Sequence, residues 1–427
     1  MASDRWLAVG LATLAAACSG SGPRFTPAVA LTAPTSVGTA PMVAVSAGGT
    51  VASAWVSAPE GGIDGRLYVE VHDSSAAEIR DSLGPIEGHG ESPPKLAYSA
   101  GGALNALYVV VKDVATAPAP LEALRFVRSN DSGRTWSQPV TITSDGVFGT
   151  HNFHALHVAH DGTIYASWLG GTGHATPWIT HSSDGGVTWA PEVQVDSGET
   201  CDCCRTALGS ASDGTLYLAW RHVYPGNMRD VVVARSTDHG ATWGEPVRVH
   251  ADGWSFNGCP RAGPSLQIDS LGRVHVAWWT GKSGGAGIWY ARSDDSGRTF
   301  GTPIPLGVAA TSRAGHVQLA LGANGNVAAV WDDGTEPTPR IMFRLSHDDG
   351  QSFGPAEQLS VAGRSVAFPV IAIHDDTVTT AWTESGTATP TATTVPAPMD
   401  HHGVPTHRGI KPIGNAQVVV RRASIAR

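Results

Sequence analysis

Short segments of alternating apolar and polar residues recur along the chain, each starting with a turn and ending in an aromatic residue. Their sequences are AGGTVASAW (ending at Trp55), AGGALNALY (Tyr108), HDGTIYASW (Trp168), SDGTLYLAW (Trp220), SLGRVHVAW (Trp278), ANGNVAAVW (Trp331) and HDDTVTTAW (Trp382). A hydrophobic period of two residues predicts β-strands. The seven copies therefore predict seven similar β units.

A second pattern follows five of these strands. It reads SNDSGRTW (Ser129–Trp136), SSDGGVTW (Ser182–Trp189), STDHGATW (Ser236–Trp243), SDDSGRTF (Ser293–Phe300) and SHDDGQSF (Ser346–Phe353). Successive copies start 53, 54, 57 and 53 residues apart, a period that predicts a propeller or another array of repeats. An Asp followed two residues later by Gly predicts a tight turn, because the carboxylate accepts backbone N–H groups and Gly adopts a positive φ. We therefore expect these Asp side chains to be structural.

This pattern resembles the Asp-box, or BNR, repeat of sialidase-like β-propellers, over roughly Ser129 to Phe353. The resemblance implies an all-β propeller of four-stranded blades. Sialidases of this kind have six blades, whereas the seven aromatic-ended strands favour seven, with six as the alternative. The segment Thr26–Thr32 has the Pro-then-apolar form of a fourth strand. It is predicted to complete the last blade beside Ala416–Ser424 and so to close the ring.

The N-terminal residues look like a secretory signal. Arg5 is followed by the apolar run Leu7–Ala17, and the run ends at Cys18 in a sequence that resembles a bacterial lipobox. We predict a signal peptide at 1–18, a linker at 19–25 and one propeller domain at 26–427 with a low-complexity insertion at 386–412. Cys18 would be lipidated; ordinary secretion is the alternative. Both predict an extracytoplasmic protein, a cell-envelope lipoprotein or a secreted one, that meets the membrane only through an N-terminal lipid anchor.

Composition narrows the function classes. The net charge of −9 argues against a nucleic-acid partner. Hydrophobic residues make up 41% of the chain and there are 14 Trp, which excludes a disordered acidic protein.

Unusual polar residues are concentrated in loops that would meet at one mouth of the central channel. These are the loops that lead into each innermost strand or leave each second strand. Five arginines in this set could converge on a carboxylate, although each could instead pair with a neighbouring acid: Arg205, Arg221, Arg261, Arg313 and Arg364. The resemblance supports the first interpretation, since sialidases grip the carboxylate of sialic acid with an arginine cluster.

The resemblance also implies a catalytic set made of a Tyr nucleophile, a Glu that activates it and an Asp that acts as acid and base. The candidates here are Tyr224, with Glu384 or Glu91 as its partner, and Asp332 or Asp333 as the acid. The Phe-Arg-Ile-Pro motif of sialidases does not occur in the sequence. A sialidase activity is therefore not established by the repeats.

The cysteines form the sharpest local signal. Cys201, Cys203, Cys204 and Cys259 fall in two neighbouring loops of the mouth. In an oxidising compartment they favour two disulfides, with a bond between Cys203 and Cys204 as one candidate pairing. A Cu or Zn site is the rival, since three thiolates suit a soft metal. Histidines that could add ligands are His151, His154, His401 and His402.

Three functional hypotheses remain open. The protein could be a sialidase-like glycoside hydrolase, or a related enzyme acting on an acidic sugar. It could be a non-catalytic surface propeller that binds a glycan or a protein, or an extracytoplasmic Cu- or Zn-binding propeller. The partner expected most is an acidic glycan or another anionic small ligand, and no cofactor is certain from the sequence.

Overall fold

In the computed structural model, every regular secondary-structure element of the described residues is a β-strand. The described residues are 23–32, 37–58, 65–72, 74–112, 121–144, 149, 151–171, 174–387 and 416–426. Within these ranges there is no helix of the length and hydropathy needed to cross a bilayer.

Two short strands come first, and seven antiparallel sheets follow in chain order, each forming one blade. The two short strands are β1 (Arg24–Phe25) and β2 (Val29–Ala30). Blade 1 contains β3 (Val37–Val45), β4 (Val51–Ala58), β5 (Arg66–Val71) and β6 (Ala77–Ile79). Blade 2 contains β7 (Lys95–Tyr98), β8 (Leu104–Lys112), β9 (Leu121–Ser129) and β10 (Val140–Thr141). Blade 3 contains β11 (Asn152–Val158), β12 (Ile164–Gly170), β13 (Thr176–Ser182) and β14 (Val193–Gln194).

The remaining blades have the same order. Blade 4 contains β15 (Ala207–Ser210), β16 (Leu216–Tyr224), β17 (Met228–Ser236) and β18 (Val247–Arg248). Blade 5 contains β19 (Ser265–Ile268), β20 (Val274–Thr280), β21 (Ala286–Ser293) and β22 (Ile304–Ala309). Blade 6 contains β23 (Val317–Leu321), β24 (Val327–Asp333), β25 (Arg340–Ser346) and β26 (Glu357–Gln358). Blade 7 contains β27 (Arg364–His374), β28 (Thr377–Thr387) and β29 (Gln417–Ser424), with β1 and β2 on its outer edge.

The blades form a closed ring around a channel. The first strand of each blade packs against the first strand of the next, and β27 returns to β3. These seven strands line a central cavity of about 400 Å³. The prediction of a seven-bladed propeller is confirmed, and the six-bladed alternative is not the one adopted.

The aromatic-ended segments are the second strands, as their pattern predicts. β12, β20 and β24 are buried along their whole length, because each lies between the strands of two neighbouring blades. The aromatic rings that end the second strands pack deep between the blades. Among them, Trp220 of β16 and Trp382 of β28 have no exposed surface. Burying rings of this size supplies much of the packing energy between blades.

The N-terminal strand closes blade 7 as predicted, in a shorter form. Val29 pairs with Val420 and Ala30 with Val419, both on β29. The pairing breaks around Pro27, since proline has no N–H to donate. It resumes at β1, which lies at the end of the segment that the sequence analysis assigned to the linker.

The Asp boxes form the expected turns. Asp131 accepts the backbone N–H of Thr135 at 2.9 Å and its hydroxyl at 2.6 Å, while the Ser129 hydroxyl donates to Asp131 at 2.8 Å and accepts the N–H of Gly133 at 2.8 Å. The same bonds recur in the other four boxes. Gly133 has a φ of 81°, which favours glycine. The Asp carboxylates of the boxes therefore form their hydrogen bonds within their own turns.

These turns predict a loss of stability in acid. The hydroxyl hydrogen bonds from Thr135 and Thr242 lower the pKa of Asp131 and of Asp238 to about 2. The stabilisation is complete above the unfolded pKa of about 4 and is lost as the pH falls toward about 2. We expect the thermal unfolding midpoint to fall over that range. Asp131→Asn, which cannot ionise, should show a smaller fall than the wild type; an equal fall would contradict this origin.

Candidate active site at the channel mouth

The loops that precede β7, β15, β19 and β23 meet at one end of the channel. Arg261 of blade 5 lies 3.8 Å from the carboxylate of Glu91, which belongs to blade 2 on another side of the ring. We call the charged residues that these loops bring together, with one from the end of β24, the mouth cluster: His89, Glu91, Arg205, Arg261, His316 and Asp332. The predicted convergence of these loops on the mouth is therefore observed.

The outer part of the mouth cluster is a group of three side chains. Nδ1 of His89 is 2.6 Å from Oε2 of Glu91, and Nη1 of Arg261 is 3.5 Å from Nε2 of His89. The side chains of His89 and Arg261 keep 17% and 19% of their surface exposed, so a ligand in the mouth can reach them. Arg261 also has a φ of 54°, a conformation that costs energy for a residue with a side chain and is frequent at functional sites.

The inner part contains a histidine held by an aspartate. Nδ1 of His316 is 2.8 Å from Oδ2 of Asp332. The same carboxylate accepts the backbone N–H of His316 at Oδ1 and that of Phe368 at Oδ2. The ring of Phe368 packs against the imidazole at 4.5 Å between centroids. Nε2 of His316 is buried and has no hydrogen-bond partner among the described residues. The imidazole is thus fixed at one nitrogen, and the other is available.

The electrostatics of this pair favour an ion pair. Burial lowers the pKa of His316, but the charge and hydrogen bond of Asp332 outweigh it, so the net pKa is raised. Burial raises the pKa of Asp332, and the contacts with His316 outweigh that effect and lower it. Both directions agree with a charged carboxylate that orients the imidazole.

The floor of the mouth carries further buried basic side chains. Nη2 of Arg205 donates to the carbonyl of Val317 at 3.2 Å, and Arg205 is only 6% exposed. Burial and the charge of Arg205 hold the pKa of Lys95 well below its usual range. His154 is fully buried, with Nδ1 3.4 Å from the hydroxyl of Ser92, and burial strongly lowers its pKa.

A carboxyl group lies behind this floor. Glu122 accepts the side-chain amide of Asn152 at 2.6 Å and the backbone N–H of His151 at 3.3 Å. Burial raises the pKa of Glu122 to about 7. Sequence reasoning missed Lys95 and Glu122, because both lie on apolar-looking strands; the only signal was a charged residue inside a strand pattern.

Three of the five candidate arginines lie outside the mouth cluster. Arg221 has no exposed surface, and its guanidinium donates to the carbonyls of Arg229 (3.0 Å), Ala262 (2.9 Å) and Trp279 (2.6 Å). Arg313 is exposed and donates to a backbone carbonyl, and Arg364 contacts Glu384 at 3.4 Å. Only Arg205 and Arg261 are brought together.

The sialidase-type candidates have separate partners. Tyr224 lies on blade 4 under the guanidinium of Arg248, which is 3.7 Å from the ring centroid. Glu384 lies on blade 7 and accepts the indole N–H of Trp382 at 3.2 Å. Asp333 forms an ion pair with Arg340. Of the five catalytic candidates, Glu91 and Asp332 belong to the mouth cluster.

The four cysteines gather beside the mouth. Cys203 forms a disulfide with Cys259, which joins the loops of blades 4 and 5, so a Cys203–Cys204 bond is corrected to this pairing. Two groups of side chains lie close enough together to hold a metal ion. One is Cys201, Cys203 and Cys204, and the other is Asp202, Cys203 and Cys259. Among the described residues no histidine belongs to either group. His151 and His154 instead have the contacts described above. Cys18, His401 and His402 lie outside the described residues.

Comparison with known proteins identifies the repeat. Residues 85–253 match the model of the BNR repeat-like domain. The propeller therefore contains a BNR repeat-like domain over these residues. No curated protein matches this propeller in sequence.

Solved structures share the architecture of this propeller. A protein of unknown function from Dyadobacter fermentans is 13% identical and has a TM-score of 0.53, with 95% of this chain and 100% of that chain covered. An ulvan lyase of polysaccharide lyase family PL25 is 14% identical with a TM-score of 0.55, covering 82% and 92%. A Hadza microbial sialidase is 16% identical with a TM-score of 0.48, covering 88% and 77%. The first two matches show a common fold, and at these identities they show the fold alone.

Proposed function

We propose that this BNR-repeat propeller is an extracytoplasmic enzyme that binds a carboxylate-bearing glycan at the channel mouth and transfers a proton on it through His316. The observation that carries the proposal is the imidazole of His316, held by Asp332 at Nδ1 and buried with Nε2 unpartnered. Such an arrangement is typical of a general base or acid.

Arg261 is the proposed carboxylate-binding group. A guanidinium binds a carboxylate with two parallel hydrogen bonds. Both contacts of Arg261 Nη1 in the cluster are 3.5 Å or longer, so this nitrogen keeps a donor for a ligand. Arg205 adds a second positive charge below the site. The ligand's negative charge would be stabilised despite the acidic net charge of the protein.

His316 is the proposed general base. Asp332 holds the Nδ1 proton, which leaves the lone pair on Nε2 to accept a proton. The proton could come from a carbon beside the bound carboxylate, as in a lyase, or from water, as in a hydrolase. The fold occurs in a protein named as an ulvan lyase and in one named as a sialidase, so both reactions are tested.

The experiment measures binding and product together. Purified protein is titrated calorimetrically with polyuronates and sialosides, with neutral glucans as the control, and the mixtures are followed at 235 nm and for new reducing ends. We expect micromolar to millimolar binding of an acidic glycan that weakens with salt, since exposed charge contacts are screened. Absorbance at 235 nm would identify elimination, and reducing ends without it would identify hydrolysis. Binding of none of the acidic glycans would refute the proposal, and binding without any product would refute its catalytic half.

A pH profile tests the role of Asp332. A base must be unprotonated, so kcat/KM should rise with pH through the raised pKa of His316. Asp332→Asn removes the charge that raises this pKa. We expect the acid limb of the profile to move to lower pH in the variant, along with a lower plateau. A limb that stays in place would show that His316 is not the titrating group.

A further inference from the structure

The sulfur cluster, Cys201, Cys203, Cys204 and Cys259, contains a second close pair. Sγ of Cys201 is 2.7 Å from Sγ of Cys204. Non-bonded heavy atoms are usually about 3.5–4 Å apart, whereas a disulfide is about 2.05 Å. The two sulfur atoms are thus closer than a non-bonded contact allows, and their separation lies between the non-bonded and the bonded distance.

The same distance argues against a metal at this pair. Two thiolates on a tetrahedral zinc ion are about 3.8 Å apart, given Zn–S bonds of about 2.3 Å. The pair is more than 1 Å closer than that. In addition, the third sulfur of the group, Cys203, is already bonded to Cys259. A metal would have to break that bond to gain a third thiolate.

The surroundings suit a closed covalent pair. Cys201 and Cys204 are 1% and 0% exposed, in an apolar cluster with Phe153, Leu169 and Val223. Cys201 and Cys204 have the C-x-x-C spacing. The chain between them is short, so closing it with a bond costs little conformational entropy. The Cys203–Cys259 disulfide belongs to the same cluster, with Sγ of Cys203 3.7 Å from Sγ of Cys201, so both thiols lie where a disulfide already forms.

We propose that Cys201 and Cys204 form a second disulfide, so that all four sulfur atoms are paired and the loops carrying Arg205 and Arg261 are covalently fixed at the mouth. Arg205 directly follows Cys204, and Arg261 lies two residues after Cys259. The two bonds thus hold both arginines of the mouth cluster.

The bond forms by thiol–disulfide exchange with a low-molecular-weight disulfide, RSSR. The Cys204 thiolate attacks one sulfur of RSSR, and RS⁻ leaves and takes up the Cys204 proton. Cys201 then gives its proton to the second RS⁻ as its sulfur attacks Cys204. Two electrons pass to the oxidant, which yields one protein disulfide and two RSH.

The electrostatics indicate which thiol attacks first. Burial raises the pKa of Cys204, but the hydrogen bond from Cys201 and the charge of Arg221 outweigh it and lower the net pKa. Burial and the hydrogen bond to Cys204 raise the pKa of Cys201. Cys204 is therefore the better nucleophile of the two.

Thiol mapping tests the proposal independently of any glycan. Wild-type protein is unfolded in concentrated guanidinium chloride without reductant, treated with iodoacetamide and digested with trypsin. We expect the peptides 135–205 and 249–261 to remain joined and to carry no carbamidomethyl groups. Their joint mass should be four hydrogens lower than the summed masses of the two reduced peptides, because each of two disulfides removes two hydrogens. Two carbamidomethyl groups on Cys201 and Cys204, or a stoichiometric metal that protects them, would overturn the proposal.

Two serine variants separate the bonds. Cys201→Ser should leave one labelled thiol, at Cys204, whereas Cys203→Ser, the matched control, should leave one at Cys259. Labelling of Cys259 in Cys201→Ser would show another pairing. Because neither readout involves a ligand, an absence of glycan binding would leave this result untouched.

Discussion

Replacing His316 with glutamine is expected to lower kcat for the acidic glycan by about 10²- to 10⁴-fold, the usual contribution of a positioned general base. The glutamine amide keeps a donor for Asp332, so the carboxylate is not left unpaired, but it cannot accept a proton. Turnover and calorimetric binding are measured on the same preparation. Binding should remain within a few fold of the wild type, because Arg261 and Arg205 are untouched.

The matched control is His275→Gln. His275 is also buried and lies near an aspartate, with Nδ1 2.7 Å from the hydroxyl of Tyr290 and Nε2 3.4 Å from Asp269, but it belongs to β20 and not to the mouth. This variant should lose stability and keep its turnover per folded molecule. If both variants lost activity equally, the loss would come from the fold and His316 would not be the base.

Arg221→Ala is expected to lower the free energy of unfolding by about 3–5 kcal/mol. The guanidinium of Arg221 joins three carbonyls from blade 4, blade 5 and the loop between them, and all three belong to buried residues. Alanine leaves those carbonyls without a donor and opens a cavity beside Trp254, whose ring lies 5.6 Å from the guanidinium carbon. Urea unfolding followed by tryptophan fluorescence measures the change.

Arg313→Ala is the comparison for this prediction. Arg313 is exposed and makes one hydrogen bond to the carbonyl of Glu336, so its loss should change stability by no more than about 0.5 kcal/mol. An Arg221→Ala protein that unfolded like the wild type but bound the glycan poorly would reverse the assignment. Arg221 would then be a ligand-binding group rather than a structural one.

The fold could be predicted because its signals are local and repeated. Each second strand shows its alternation and its closing aromatic ring in nine consecutive residues, and each Asp box forms its hydrogen bonds within five. Counting these units predicts seven blades. The interruption of the closing strand at Pro27 could be explained by chemistry but was not anticipated from the apolar pattern around it.

For the site, the sequence could predict only which loops lie at the mouth of the channel. Chain order places loops at the mouth, yet it does not say whether a side chain turns toward the channel or into the protein. Arg221 lies within β16, and Arg261 lies in the loop before β19. The first turns inward to three carbonyls, and the second remains partly exposed beside Glu91. The pairing of Cys203 with Cys259 likewise depends on two loops 56 residues apart.

The closing N-terminal strand also affects whether the molecule pairs with other copies of itself. Arg421 on β29 donates to the carbonyl of Thr26, a bond between residues 395 positions apart. Until the N-terminal strand pairs with β29, the outer edge of β29 is open, and any compatible strand can extend the sheet there. Because both partners belong to one chain, closure depends on their effective concentration and not on the amount of protein. The N-terminal strand therefore acts as a built-in competitor against strand exchange, and a protein without residues 24–30 should associate as its concentration rises.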